Sequence, residues 1–472
     1  MSVHGADGVA FDGTAPVLVI GAGACGLTAA LAARQAGAEV AVIERDPLPR
    51  GNTALSAGLI PAAGTRFQRA RGIDDDPARF AADILAKTKG RADPAMVATV
   101  TQEAASTIEW LADAARIDFR VLDDFRYPGH SALRMHAAPE GTGEGLLDRL
   151  ARAAEHADVT LMTDAAVTAL FAEDDGRIAG VQVTRPDGSA DRVGCGALIL
   201  ACNGFGGNPA MVRAHCPEMA DALYFGHPGN RGDAVLWGTA LGAATRDMTG
   251  YQGHASVAHP HGILITWAVI SEGGIQVNLE GRRFADESRG YSEQAVEVLG
   301  QPDRLAWVIF DEPIAAVARQ FEDFRTAEAA GAVKWAESVP ALATATGLPA
   351  AALAETLHQV TAFAGGAQAC PFGRRFDPRS VLLPPFAAVR VTGALFHTQG
   401  GLVVDADARV LRPDGIPLPN LYAGGGAACG LSGPEADGYL SGNGLLTATV
   451  LGRLAGRHAA EHFGAREAEN AA

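Results

Sequence analysis

Tyr439 stands in the stretch PEADGYLSGNGLL, which begins at Pro434 and holds glycines at 438, 442 and 444. The glycines call for a sharp turn or a close backbone approach, and the apolar run from Leu445 marks the start of a helix. Only six tyrosines occur in the chain, so a phenol at this junction asks for a reason. Beside the first-turn N–H groups of a helix it can hold an oxygen on which negative charge develops. The plainer role is a hydroxyl that caps the turn.

Other reactive residue types gather in HASVAHPH and LEGRRFADES. His254, His259 and His261 match no standard zinc spacing and Pro260 interrupts them, so no metal is expected. Arg282, Arg283, Asp286 and Glu287 read as a structural ion-pair network, with no catalytic role for Glu287. Cysteines 25, 195, 202, 216, 370 and 429 form no CxxC pair, which suits small buried hydrophobes in a reducing compartment.

The elements that must position these groups start with PVLVIGAGACGLTAALAARQAGAEVAVIE at 16–44: strand, glycine turn, Ala-rich helix, strand. Gly21, Gly23 and Gly26 permit the tight turn and a close approach to a pyrophosphate, which then faces a helix N-terminus. Glu44 ends the second strand, where its carboxylate can accept both ribose hydroxyls. A helix over GTGEGLLDRLARAAEHA, three short strands and the buried strand ALILAC suggest a β-meander laid over this nucleotide domain. From 249 to 397 the composition shifts, with Ala-rich helices near 311–365. Residues 398–466 return to Gly-rich turns, a strand at NLYAGGG and a last helix from about 443.

The fold class is therefore α/β, a discontinuous Rossmann-type domain (14–248 and 398–466) carrying an inserted domain at 249–397. The C-terminal return selects the cofactor, because GNGLL at 442–446 offers a positive helix end to the N1–C2=O edge of a flavin. FAD is expected rather than NAD, for no second βαβ unit brings its own acidic residue.

A formal charge of -16, from 38 basic and 54 acidic residues, disfavours nucleic acid and anionic membrane surfaces as partners. The N-terminal residues lack a basic region, and glycines break the first apolar run. Neither a signal peptide nor a membrane span is expected, and a cytoplasmic setting follows by default.

GAGACG, GNTALSAG at 51–58, LACNGFGGN ending at Asn208, QGHAS at 252–256, HTQGG at 397–401 and LYAGGG together resemble the FAD-dependent fumarate reductase/succinate dehydrogenase flavoprotein family. The resemblance implies that 249–397 is an α+β capping domain whose closure buries a small-molecule substrate. It also implies non-covalent FAD, since Asn52 stands where covalent members carry histidine. Cofactor contacts would come from Ala24 and Cys25, from Glu44 and Arg45, from Gly51, Asn52, Thr53, Ser56, Ala57 and Gly58, and from Ala166 and Val167. Cys202, Asn203, Gly204, Gly425, Gly426, Gly442, Asn443, Gly444 and Leu445 complete the set. The family's usual ribityl-holding glutamate falls on Gly426.

Departures from the family carry the functional expectation. The proton-donating arginine of fumarate reductases falls on Tyr291, their relay glutamate and arginine on Trp267 and Ile270, and their carboxylate-clamping arginine on Tyr439. His254 and His397 are kept. This pattern resembles 3-ketosteroid Δ1-dehydrogenases and related cyclic-ketone desaturases, which implies Tyr291 as base, Tyr439 as holder of the ketone oxygen and Tyr127 as support for the base. Substrate would meet His254, His397, Trp267, Gly442 and Gly444, a backbone N–H of the last two adding a second bond to the oxygen. The implied reaction desaturates a small cyclic ketone or oxo-acid next to its carbonyl, with an electron acceptor that the sequence does not name. The alternatives are a fumarate-reductase-like ene-reductase, a tricarballylate-type dehydrogenase, and a flavin-binding protein without turnover.

Overall fold

The computed structural model describes residues 2–123, 125–377 and 380–464, so positions 465 and 466 of the last expected segment lie outside the described residues. The chain forms two compact units. One comprises Met1–Cys216, Gly226–Tyr251 and His397–Ala472, the other Pro217–Phe225 and Gln252–Phe396. Pro217–Phe225, which the sequence reading kept in the first nucleotide-binding segment, goes with the second unit because Leu223–Tyr224 pairs with the strand Phe386–Thr398.

The first unit is built on a nine-stranded sheet. Its strands are β1 (Ser2–Gly5), β2 (Gly13–Ile20), β3 (Val40–Ile43), β4 (Thr160–Met162), β5 (Ala166–Ala172), β6 (Ile178–Thr184), β7 (Ala190–Leu200), β8 (Arg409–Leu411) and β9 (Pro417–Ala423). They run in the order β1-β5-β6-β7-β2-β3-β4, with β9 pairing both β7 and β8. Val17, Leu18, Val19 and the whole of β3 are buried, as a parallel strand covered on both faces requires. The crossover helix Ala24–Gln35 packs against the final helix Asn443–Phe463, where a Cβ on Gly456 would stand 2.0 Å from the Ala29 carbonyl oxygen. That contact brings the C-terminal residues back to the nucleotide fold.

The meander does not lie over the sheet; it is part of it. β4 extends the parallel ladder beside β3, with Ala41 opposite Thr160. The eleven residues of β7 are long enough for two pairings: its first half runs antiparallel to β6, and its later residues run parallel to β2 and β9. Ser2–Gly5 adds a strand beside β5 that the sequence reading did not anticipate.

The second unit is centred on a seven-stranded sheet in which Tyr251–Ala258, Phe386–Thr398 and Leu305–Asp311 are neighbours. Helices from Glu312 to Ala364 follow the Ala-rich segment, interrupted by the strand Val333–Ala336, which pairs with the strand from Phe386.

Candidate active site

In the first unit the glycine turn after β2 is as tight as its spacing demands. A Cβ on Gly26 would sit 1.8 Å from the Gly21 carbonyl oxygen, so the helix approaches the strand only because that side chain is missing. The Ala24 N–H donates to Thr53 Oγ1 at 3.0 Å, and the Glu44 carboxylate accepts from the N–H groups of Ala22 and Asp46 at 2.8 and 3.0 Å. Arg45 donates to the Gly229 carbonyl, while its buried Nε has no partner among the described residues. Gly51, Asn52 and Thr53 lie in a short helix, and Ser56 Oγ bridges the Thr53 carbonyl and the Gly58 N–H around Ala57. Asn52 is held through its side-chain oxygen Oδ1, which accepts from the His227 backbone N–H and from Asn230 Nδ2. Ala166 and Val167 open β5, next to Ala165, whose N–H reaches the Glu44 carbonyl. Burial pushes the thiols of Cys25 and Cys202 up to about 12, leaving them neutral walls.

Asn443 gives the clearest test of whether this site fits FAD. It is fully buried at the first position of the last helix, beside Gly442 and Leu445, and neither its amide nitrogen nor its amide oxygen has a partner among the described residues. An unsatisfied buried polar group costs roughly 1–3 kcal/mol, so this amide is suited to a ligand edge that offers both a donor and an acceptor. A flavin pyrimidine edge does so.

Tyr439 is buried immediately before that helix. Its stretch is held by ion pairs of Asp437 with Lys89 and Arg91 and of Glu435 with Arg91, and by His130 Nε2, which donates to the Ser441 carbonyl at 3.0 Å. Burial raises the phenol's pKa above its usual value, while the backbone N–H groups of Gly444 and Gly442 donate to its oxygen and pull the other way. Tyr439 is therefore a neutral phenol whose O–H is polarised for donation. This corrects the expectation for Gly442 and Gly444: their N–H groups bond the tyrosine oxygen, so any part they take in holding a carbonyl is indirect. The rings of His397 and Tyr439 meet edge to face at 5.5 Å. A Cβ on Gly444 would lie 3.0 Å from His397 Cε1 and Nε2 and 3.7 Å from the Tyr439 oxygen. Half-buried at its surface yet enclosed by protein, His397 is desolvated and pushed down to about 4. Both groups are neutral donors at pH 7. Tyr127 lies on another turn of this unit, edge-on to Phe125 at 4.8 Å.

In the second unit Tyr291 begins the helix Tyr291–Leu299, and its ring stacks on His254 at 4.8 Å. His254 also stacks on Phe396 at 5.2 Å and meets Trp267 edge-on at 5.7 Å. The strand carrying His254 is tied to this helix by the Gly253 N–H, which donates to Ser292 Oγ at 2.9 Å. Burial pushes His254 down to about 3, and its Nδ1 accepts from the Ser256 N–H at 3.2 Å, which leaves the proton on Nε2. The buried indole N–H of Trp267 has no acceptor among the described residues. His259 and His261 are exposed in the turn that follows the strand Tyr251–Ala258.

The ion-pair network differs from its sequence reading. Glu287 is buried between Arg283, with Nε 2.9 Å from Oε1, and Arg374 at 3.3 Å. Arg282 is exposed and outside it, and Asp286 caps the following turn by accepting from the Ser288 N–H. Arg374, distant in sequence and missed, also donates to the carbonyls of Ile270 and Gly274, and so reaches the turn that carries Trp267. Trp267 caps that helical turn and Ile270 lies within it.

Residues 16–445 match the FAD binding domain family. The probable fumarate reductase Ifc3 of Shewanella frigidimarina is 30% identical over 452 residues, 95% of this chain and 75% of that protein. The chain belongs to the FAD-dependent fumarate reductase/succinate dehydrogenase flavoprotein superfamily. A second member, the 4-oxocyclohexanecarboxylate 2-dehydrogenase of Sinomonas cyclohexanicum, is 26% identical and covers 94% of each chain. Among solved structures, the 3-ketosteroid-Δ4-(5α)-dehydrogenase of Rhodococcus jostii, in complex with 4-androstene-3,17-dione, superposes with a TM-score of 0.77 at 27% identity over 97% of this chain and 99% of that one. This flavoprotein is accordingly an FAD-dependent oxidoreductase acting on CH–CH groups. Among its described residues no helix is long and apolar enough to cross a membrane.

Proposed function

We propose that this flavoprotein introduces a C=C bond next to the carbonyl of a small cyclic ketone or oxo-acid. The observation that carries the reading is the neutrality of the groups offered to substrate. Tyr439 and His397 are uncharged donors, His254 is uncharged, and in the second unit the buried cations Arg283 and Arg374 are committed to Glu287. A dicarboxylate needs a cation on each end, whereas a ketone oxygen needs donors that strengthen as it becomes an enolate.

The roles then divide by chemistry. The Tyr439 O–H donates to the carbonyl oxygen, with His397 Nε2–H as a second donor, and the developing charge makes the α C–H acidic. Tyr291 takes the α-proton on its phenol oxygen; Tyr127 is assigned to support it. His254 lies flat against the Tyr291 ring and Trp267 meets that ring edge-on. Bound FAD supplies the acceptor for the β-hydride. Its holders would be the turn from Gly21 to Gly26, Glu44, Arg45, the Gly51–Gly58 segment, Asn203 and Asn443. The electron acceptor that reoxidises the protein is left open as a small diffusible oxidant or a redox partner.

The 30% identity to a probable fumarate reductase favours a second reading, reduction of an activated C=C with Tyr291 as proton donor. The test is a paired anaerobic assay. Turnover of cyclohexanone or 4-oxocyclohexanecarboxylate with a dye acceptor supports desaturation. Turnover of fumarate with reduced viologen and none of the ketones would replace it with the second reading.

A further inference from the structure

His397 presents two alternatives that its position alone does not settle. Its Nδ1 lies 3.1 Å from Gln399 Nε2, where it must be an acceptor, and 3.4 Å from the Thr398 carbonyl oxygen, where it must be a donor. The first contact is the shorter, and Gln399 is unusually constrained to make it. Its backbone N–H donates to the Gly250 carbonyl and its own carbonyl accepts from the Gly430 N–H, both at 2.8 Å. Its side-chain oxygen accepts from Ser432 Oγ at 2.8 Å while its amide nitrogen faces His397. Gln399 and Ser432 are both buried, so a reversed amide would have to donate to Ser432 Oγ and accept a proton from His397 Nδ1: the amide orientation and the imidazole tautomer are set together.

We propose that Gln399, oriented by Ser432, is a positioning residue that fixes His397 as the Nε2–H tautomer and so presents a second donor beside Tyr439. The rest follows from geometry. With Nδ1 occupied as an acceptor, the proton of the neutral ring must sit on Nε2, the atom that faces Gly444 and the Tyr439 side. The middle residue of HTQGG thereby decides whether the half-site of the first unit offers one donor or two. The consequence for a bound carbonyl rests on the function proposed above; the tautomer itself does not.

The test uses oxidised holoenzyme labelled with 15N-histidine, with the His397 signals assigned from their loss in His397→Asn. Wild type is expected to show an unprotonated Nδ1 and a protonated Nε2 at pH 7. Gln399→Leu should shift Nδ1 toward the protonated form through the Thr398 carbonyl, and the milder Ser432→Ala should do so in part. A protonated Nδ1 in the wild type, or no change in either variant, overturns the proposal. A second arm titrates the same proteins with 4-nitrophenol, an enolate mimic, read from the phenolate absorbance. Binding weaker by about tenfold or more in Gln399→Leu, the equivalent of one hydrogen bond, with FAD content unchanged, supports both the proposal and the role of His397. A shifted tautomer with unaltered phenol binding upholds Gln399 and removes His397 from carbonyl recognition.

Discussion

The imidazole of His254 lies against the ring of Tyr291 with centroids 4.8 Å apart and planes 21° from parallel. Because burial keeps that imidazole neutral, the stack lends shape and no positive charge to a Tyr291 phenolate. Arg283 and Arg374 are spent on Glu287, and the first turn of the Tyr291–Leu299 helix adds a favourable field worth about 0.3–1 kcal/mol. An ordinary tyrosine is phenolate in only about one molecule in a thousand at pH 7. Ketone desaturation should therefore accelerate between pH 7 and 10, and Tyr291→Phe should remove that rise together with about 10²–10⁴-fold of turnover. A flat profile with a full α-deuterium isotope effect would sink Tyr291 as base.

Tyr439→Phe keeps the ring and deletes the donor. Turnover should fall by about 10²–10³ while the ratio of flavin to protein absorbance stays constant. Gly444→Ala separates geometry from stability. Its Cβ must displace the His397 ring, so turnover should fall, whereas Ala is the better helix former by about 1 kcal/mol and Tm should hold or rise. A variant of unchanged activity would show that His397 can move freely.

Glu287 anchors the second unit without touching the reaction. It joins Arg283 and Arg374, and its Oε1 accepts from the Gln276 N–H at 3.1 Å; Gln276 in turn bonds Gln294 of the Tyr291 helix and the Ala255 carbonyl beside His254. Glu287→Gln leaves two buried guanidinium groups short of a counter-charge and should destabilise by about 3–5 kcal/mol, read as a lower Tm or denaturation midpoint. Stability near that of wild type would mean that the network is dispensable.

Four histidines set the acid limit. His130, His136 and His397 are pushed down to about 4 and His254 to about 3, each chiefly by burial. An unfolded histidine titrates near 6.5, so below that pH the unfolded chain binds protons that the native chain refuses, and stability rises with pH across the window. The full contribution is present above about 6.5 and is lost as pH falls toward 3–4, each histidine giving on the order of 3–5 kcal/mol at most. Tm should drop steadily from pH 6.5 to 4.5, and His136→Gln should flatten the slope. A constant Tm over that range would show these rings to be solvated.

The nucleotide half of the fold was legible because its signal is local: a run of apolar residues, a glycine turn and an acidic residue at a fixed distance. The placing of Glu44, the last helix and Tyr439 before it follow from the same kind of signal. What the sequence concealed depends on long-range pairing. Nothing in the residues around Leu223 announces a strand that joins the second unit, and nothing in HTQGG says that Gln399 will meet Ser432. Arg374 was missed for the same reason, since its partner Glu287 lies 87 positions away. The amides of Gly442 and Gly444 were read as donors for a ligand because a pattern of glycines does not reveal that a neighbouring side chain will fold back onto them.

Position 426, where the family resemblance puts a glutamate, offers a test of how this chain does without one. A Cβ there would stand 2.1 Å from Asn203 Oδ1, so the asparagine occupies the space that any larger residue would need. Asn203 takes a left-handed φ of 65°, and its Oδ1 accepts from the Gly204 N–H at 2.8 Å, a local bond that keeps the side chain over Gly426. Gly426→Glu alone should weaken FAD binding by about tenfold or more, because the asparagine has to leave its turn. Asn203→Gly suits the left-handed backbone and should fold. Combining Asn203→Gly with Gly426→Glu clears the overlap, so the double variant should bind FAD more tightly than Gly426→Glu alone. Titration of the apoproteins with FAD, followed by flavin fluorescence, measures this coupling. Strictly additive effects would mean that the two side chains do not compete for one space, and that Gly426 is tolerated for a reason unrelated to Asn203.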